Sequence, residues 1–260
     1  MPYPQGPFPA KPMPEGPGFA HLYDRVALPL AGVTLLAVED SRFASEALRL
    51  LCQRSGARMR RAETLAAARR HLAVYRPDVV LVDLGLPDGN GADLIRELTR
   101  GQGLGSLVLA ISGDPDGWSQ AVRAGAAGFL EKPLQSLAAF QKMILTHLQG
   151  QSGLVPRADD KPIQPDPQAL QDDLLHAADL IAQGDENPRR YVVDFVSGIA
   201  RSSNDTALAC AAASARTSTE GMIELGALLG QRISHCADPF AIGSVAGAKA
   251  GVAIGAHKTG

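Results

Sequence analysis

Between residues 32 and 148 the chain alternates two apolar patterns. Val33-Thr34-Leu35-Leu36-Ala37-Val38, Val79-Val80-Leu81-Val82 and Leu107-Val108-Leu109-Ala110-Ile111 are short, nearly unbroken apolar runs. Runs of this kind, rich in β-branched residues, predict parallel strands buried on both faces. Between them, Ala44, Ala47, Leu48 and Leu51, and then Leu65, Ala68 and Leu72, recur at helical spacing. Ser41 is placed to cap the first of these helices, and 64–75 predicts the second. Residues 57–61 read as a weak strand, 92–100 as a helix, and 128–130 as a short last strand broken by Lys132-Pro133. Asp114-Pro115 is an N-cap followed by proline, predicting a helix from there to about 124, and a last helix runs over about 135–148. Five strand–helix units in succession predict an α/β domain over 31–149, a doubly wound five-stranded parallel sheet covered by helices on both faces.

The flanks differ in kind. Residues 1–30 are crowded with proline, which removes amide donors and fixes φ, so an extended, disordered arm is expected. Gly, Pro, Ser and Asp dominate 150–165, a linker by composition. From Asp166-Pro167 onward the helical pattern returns, with stripes at Leu170, Leu174, Leu175, Ala178 and Ile181 and at Tyr191, Val192, Phe195, Val196 and Ile199. Asn204-Asp205 can cap a third, Ala-rich helix, and Ser218-Thr219-Glu220 a fourth carrying Met222, Leu225, Leu229 and Ile233. Residues 166–240 are therefore expected to form an all-helical bundle or dimerisation module. In 241–260, Gly243, Gly247, Gly251 and Gly255 recur every fourth position, a small-residue face suited to close helix packing. Lys249 and the short apolar length argue against a membrane span there.

Composition narrows the function classes. A formal charge of -2 gives no global attraction to nucleic acid or anionic membrane. Cys52, Cys210 and Cys236 have no metal-binding spacing and are odd in number, which argues against a disulfide framework or structural zinc site and fits reduced thiols. The first residues lack the layout of a signal peptide, and a cytoplasmic location is expected.

The polar residues that interrupt the apolar pattern share one address. Glu39 and Asp40 close the first strand, Asp83 the third and Ser112 the fourth, while Lys132 follows the fifth. In a parallel sheet these ends lie on one edge, where open α/β sheets place their ligands. Three gathered carboxylates repel one another unless a cation sits among them, and hard oxygen donors favour magnesium. With a lysine and a hydroxyl alongside, the group is suited to holding a phosphoryl group and transferring it to Asp83.

These residues carry a family resemblance. Glu39-Asp40, Asp83 with Leu86-Pro87-Asp88-Gly89-Asn90-Gly91, Ser112-Gly113, and Ala124-Gly125-Ala126 running to Phe129-Leu130-Glu131-Lys132-Pro133 resemble, in order and spacing, the receiver domain of two-component response regulators. The resemblance covers about 33–148 and implies a flavodoxin-like receiver fold. It implies that Asp83 is the phosphoacceptor and that Glu39, Asp40, Asp83 and the Gly85 backbone carbonyl position magnesium. Lys132 and Ser112 would contact the phosphoryl oxygens, Lys132-Pro133 would be cis, and Phe129 would be the switch aromatic that follows Ser112. A histidine kinase or phosphotransfer protein is the implied donor, and the receiver is expected to catalyse its own phosphorylation and dephosphorylation. Asp88 reads as a turn residue. Gly85 and Gly113 are expected to leave the phosphate open to water.

The output is less legible. From Asp159 onward acidic side chains outnumber basic ones, and no basic recognition helix is visible. DNA binding is therefore not expected, although a phosphorylation-controlled transcription regulator is the alternative. No motif of a dedicated enzymatic output is present, so whether the chain is an enzyme in any wider sense stays open. A helical module that binds an output protein, or pairs as a homodimer, is the expectation.

Overall fold

The computed structural model describes residues 28–100, 105–148, 163–184 and 189–237. Most of the arm over 1–30, most of the linker over 150–165 and all of the 241–260 tail lie outside the described residues. The α/β domain contains strands β1 (Thr34–Val38), β2 (Arg58–Ala62), β3 (Val79–Asp83), β4 (Leu107–Ser112) and β5 (Gly128–Glu131). Helices α1 (Arg42–Ser55), α2 (Leu65–Val74), α3 (Gly91–Arg100), α4 (Gly117–Ala124) and α5 (Leu137–Leu148) follow them in turn. All strand pairs of the sheet are parallel, in the order β2-β1-β3-β4-β5. The chain winds outward from β1 to β2 and then back past β1 to β3, which makes the β1/β3 boundary the switch point of the sheet.

Alternation along the strands divides the interior in two. Leu35, Ala37, Leu81, Leu109 and Ile111 pack with Leu48 and Leu51 of α1 and with Phe140 and Ile144 of α5. Leu36, Val38, Val80, Val82 and Ala110 point the other way, onto Leu65 of α2, Leu94 and Ile95 of α3, and Ala121 of α4. Every residue of β3 is buried, as expected for the central strand of a sheet covered on both faces. Each large apolar side chain so buried stabilises the fold by about 1.5–3 kcal/mol.

Caps set the helix ends. Ser41 accepts from the Ala44 amide at the start of α1, and Gly56 at φ 84 closes it in the left-handed region that glycine tolerates. Two boundaries differ from expectation. Helix α4 begins at Gly117 and not at Asp114-Pro115, because Asp114 accepts from the Asp116 amide and forms a turn first. Leu30 belongs to the core and not to the arm: it is fully buried, and its amide donates to the Ser55 carbonyl.

Four helices follow: α6 (Pro167–Ala182), α7 (Arg189–Ser202), α8 (Thr206–Ala215) and α9 (Thr219–Ala237). They share a third core, centred on Tyr191, Val192, Phe195, Val196 and Ile199 of α7 with Leu225 and Leu229 of α9. Helix α6 turns inward a face that is offset from its apolar stripe: Leu174 is buried and Leu170 and Ile181 pack against this core, but the stripe does not hold throughout. Leu175 is 43% exposed, whereas Asp173 is 2% exposed and lies on the buried face with Leu174, Ala177 and Leu180. The reason is the neighbour. Asp173 accepts from the Ser41 hydroxyl (2.7 Å) and from the backbone amides of Arg42 (2.8 Å) and Phe43 (3.0 Å), so it satisfies the open N-terminus of α1 from another domain. Arg42 adds an ion pair to Asp172 at 2.8 Å. Among the described residues no helix is long and apolar enough to cross a membrane.

Candidate functional site

The C-terminal edge of the sheet brings the polar strand ends together. Glu39 and Asp40 follow β1, Asp83 ends β3, Ser112 ends β4 and Lys132 follows β5. Glu39, Asp40 and Asp83 each offer a carboxylate oxygen, and these three atoms lie within 4.8 Å of one another. Lys132 bridges two of them, with its Nζ 2.7 Å from Asp83 Oδ2 and 2.8 Å from Glu39 Oε2. Glu39, Asp83, Ser112 and Lys132 are all buried. The Lys132-Pro133 peptide is cis, as the resemblance implied.

Local backbone holds this arrangement in place. The Arg61 guanidinium donates to the Glu39 and Asp40 carbonyls, fixing the loop after β1. The Gly85 amide donates to Asp83 Oδ1 at 3.3 Å, and the Ser112 hydroxyl accepts from the Asp114 amide at 3.0 Å. Gly91 has a steric reason: a Cβ there would sit 1.9 Å from the Asp83 carbonyl oxygen. The turn after Asp83 can therefore fold back only onto a residue without a side chain. Asp88 does more than turn the chain. Its carboxylate accepts from the Leu65 and Ala66 amides at 2.8 and 2.9 Å, so it caps α2 across the site loop. Phe129 is half-buried and meets Trp118 edge-to-face at 6.1 Å.

Electrostatics favour a cation here. Burial, against the pull of Lys132 and helped by Asp83 and Asp40, pushes Glu39 up to about 8. Burial and the Asp83 charge push Asp40 up to about 7. Burial disfavours the Lys132 ammonium, but Asp83 and Glu39 outweigh it and hold the lysine charged, above its usual range. Three crowded carboxylates with one ammonium leave negative charge in excess, and a hard divalent cation with few protein ligands relieves that strain. The donor set fits magnesium.

The helical region completes the site, which the sequence did not foretell. A cleft of ≈ 530 Å³ is lined on one side by Glu39, Asp83, Ser112 and Lys132 and on the other by α7 and α8. The Tyr191 hydroxyl donates to Asp40 Oδ2 at 2.9 Å. A Cβ on Gly85 would lie 3.9 Å from Asp194, and one on Gly113 would lie 3.0 Å from Arg201. The space beside both glycines thus faces α7 across the cleft. Tyr191 was legible only as an apolar-stripe residue, and no sequence signal tied it to Asp40.

Comparison with known proteins agrees with this geometry. Residues 35–144 match the response regulator receiver domain family. The α/β domain is a receiver domain of that family, and the helices α6 to α9 lie beyond the matched stretch. The chain is similar to the KDP operon transcriptional regulatory protein KdpE of Escherichia coli, 29% identical over 163 residues, 62% of this chain and 68% of that protein. It is 35% identical over 99 residues to the transcriptional regulatory protein KdpE of Mycobacterium tuberculosis, covering 38% of this chain and 44% of the other. A solved structure of a putative response regulator from Chloroflexus aurantiacus aligns at 29% identity and TM-score 0.41, over 44% of this chain and 98% of that one. The curated relatives are named as transcriptional regulators, so the expectation that DNA binding is absent gains no support from them.

Proposed function

We propose that this protein is a phosphorylation-controlled signalling switch in which Asp83 accepts a phosphoryl group from a histidine kinase or phosphotransfer protein. The observation that carries this reading is the trio of Glu39, Asp40 and Asp83, buried at Glu39 and Asp83 and half-buried at Asp40, with Lys132 Nζ shared between Asp83 and Glu39. Magnesium, held by Glu39, Asp40, Asp83 and the Gly85 carbonyl, would neutralise charge on the transferring group. An Asp83 carboxylate oxygen attacks phosphorus, an acyl-phosphate bond forms, and the bond to the donor nitrogen breaks, leaving the donor imidazole. Lys132 then pairs with a phosphoryl oxygen in place of the Asp83 oxygen it now holds. Ser112 turns its hydroxyl from the Asp114 amide toward the phosphoryl group, and Phe129 follows into the space released.

The output in this reading is the helical region. The docking of α6 and α7 on the site edge supports it, because both helices touch groups that the new charge must disturb. A transcriptional output is the second reading, favoured by the names of the curated relatives. Incubation with radiolabelled acetyl phosphate in magnesium buffer tests the first step: wild type takes label and Asp83→Asn does not, and equal labelling of the two refutes it. Fluorescence titration with genomic DNA fragments, with and without a phosphate mimic, separates the outputs. Salt-sensitive, site-preferring binding favours the transcriptional one.

A further inference from the structure

We infer that Arg201, near the end of α7, is the residue with which the helical region reads a phosphoryl group on Asp83. The inference rests on the reading of Asp83 as phosphoacceptor and assigns the receiving partner within the same chain. Arg201 lines the cleft that also contains Asp83, Ser112 and Lys132. Its Cδ lies 3.0 Å, and its Nε 3.8 Å, from where a Cβ on Gly113 would be, directly beside Ser112. Glycine at 113 therefore makes room for this arginine.

Two other arginines line the helical wall of the cleft, and both are already engaged. Asp194 holds Arg216 at 2.7 Å and Arg190 at 3.6 Å. Among the described residues the Arg201 guanidinium has neither an ion pair nor a hydrogen bond. On the receiver side Lys132 is shared between two carboxylates, so a single ammonium must serve several anionic oxygens. A phosphoryl group on Asp83 brings a charge of about −1.5 to −2 and three strong acceptors into this space. A guanidinium is planar, weakly hydrated and always charged, and its forked donors match phosphate oxygens in pairs. Among the described residues Arg201 is thus a cation without a partner, beside the place where an anion is to be made. Phosphorylation then draws α7 onto the receiver through Arg201 and transmits the state of Asp83 to the helical core.

The test uses the full chain in magnesium buffer with beryllofluoride as the phosphoryl mimic. Binding is followed by the fluorescence of Trp118, the single tryptophan, which lies against Phe129. Wild type is expected to bind; Arg201→Gln is expected to bind roughly tenfold more weakly, and Arg201→Lys to recover part of the loss, as for removal and partial return of a charge-assisted bond. Beryllofluoride should also slow amide exchange in the last turn of α7 in wild type and not in Arg201→Gln. A side chain that only packs on Gly113 would move neither readout. Equal affinity and equal exchange in wild type and Arg201→Gln, with Asp83→Asn unresponsive, overturn the role of Arg201 and leave the phosphoacceptor intact. A wild type that neither binds the mimic nor takes label from acetyl phosphate overturns the phosphoacceptor reading and this inference with it.

Discussion

Replacing Asp173 by alanine is expected to loosen the contact between the helical region and α1. The carboxylate is 2% exposed and accepts three hydrogen bonds from the first residues of α1. Charge-assisted bonds are worth about 1.5–3 kcal/mol each, so their sum sets an upper bound. The true effect is smaller, because burial raises the Asp173 pKa, which means that desolvating the charge already costs more than its bonds return. Truncation would leave the Arg42 and Phe43 amides without an acceptor at about 1–3 kcal/mol each, the Ser41 hydroxyl retaining its bond from the Ala44 amide. Water can reach the exposed Arg42 end, and a net loss of about 3 kcal/mol is the working figure. That corresponds to roughly 100-fold faster exchange of the Arg42 and Phe43 amides wherever opening of this contact limits exchange. Asp173→Asn keeps one acceptor and should fall between. Hydrogen exchange read at those two amides checks the figure, and unchanged protection in Asp173→Ala would show that α1 does not depend on α6 for its cap.

Other consequences can be measured separately. Asp88→Ala removes the acceptor for the Leu65 and Ala66 amides and should cost about 1 kcal/mol in denaturant unfolding; no change would mean Thr64 caps α2 unaided. Gly221→Ala places a methyl 2.6 Å from the Ser214 carbonyl carbon, so α8 and α9 must separate, and a loss of about 1–3 kcal/mol should appear as a lower Tm. In chelator buffer, stability should fall as pH rises from about 4 to about 8. Glu39 and Asp40 titrate from 4.5 and 3.8 in the unfolded chain but at about 8 and about 7 when folded, so the folded state holds protons that the unfolded state has released. Magnesium should flatten that slope by taking the place of the protons; a slope unchanged by magnesium would place the cation elsewhere.

The α/β fold and its polar edge were legible because each depends on local pattern. Unbroken β-branched runs announce strands buried on both faces, and a carboxylate ending such a run needs no long-range knowledge to be placed on the ligand edge. Glu39, Asp40, Asp83, Ser112 and Lys132 came together as expected because topology alone fixes where strand ends meet. The start of α4 was misplaced because Asp114-Pro115 supports either a cap or a turn, and Gly117 settled it: a Cβ there would lie 2.9 Å from the Ser112 Cβ.

What was not legible is how the two domains meet, and the reason is chemical. An apolar stripe marks a buried face by its hydrophobicity, so a charge on that face is read as exposed. Asp173 breaks the rule because the group it meets is the open end of another helix, which offers amide donors to an anion. Tyr191 follows the same logic from the other side: its ring satisfies the stripe while its hydroxyl reaches Asp40, and hydropathy registers only the ring. Both bond to polar groups of the receiver edge. The contact between the domains is thus encoded by polar residues whose partners lie far away in sequence, whereas each domain's own core is encoded by apolar residues whose spacing can be read along the chain.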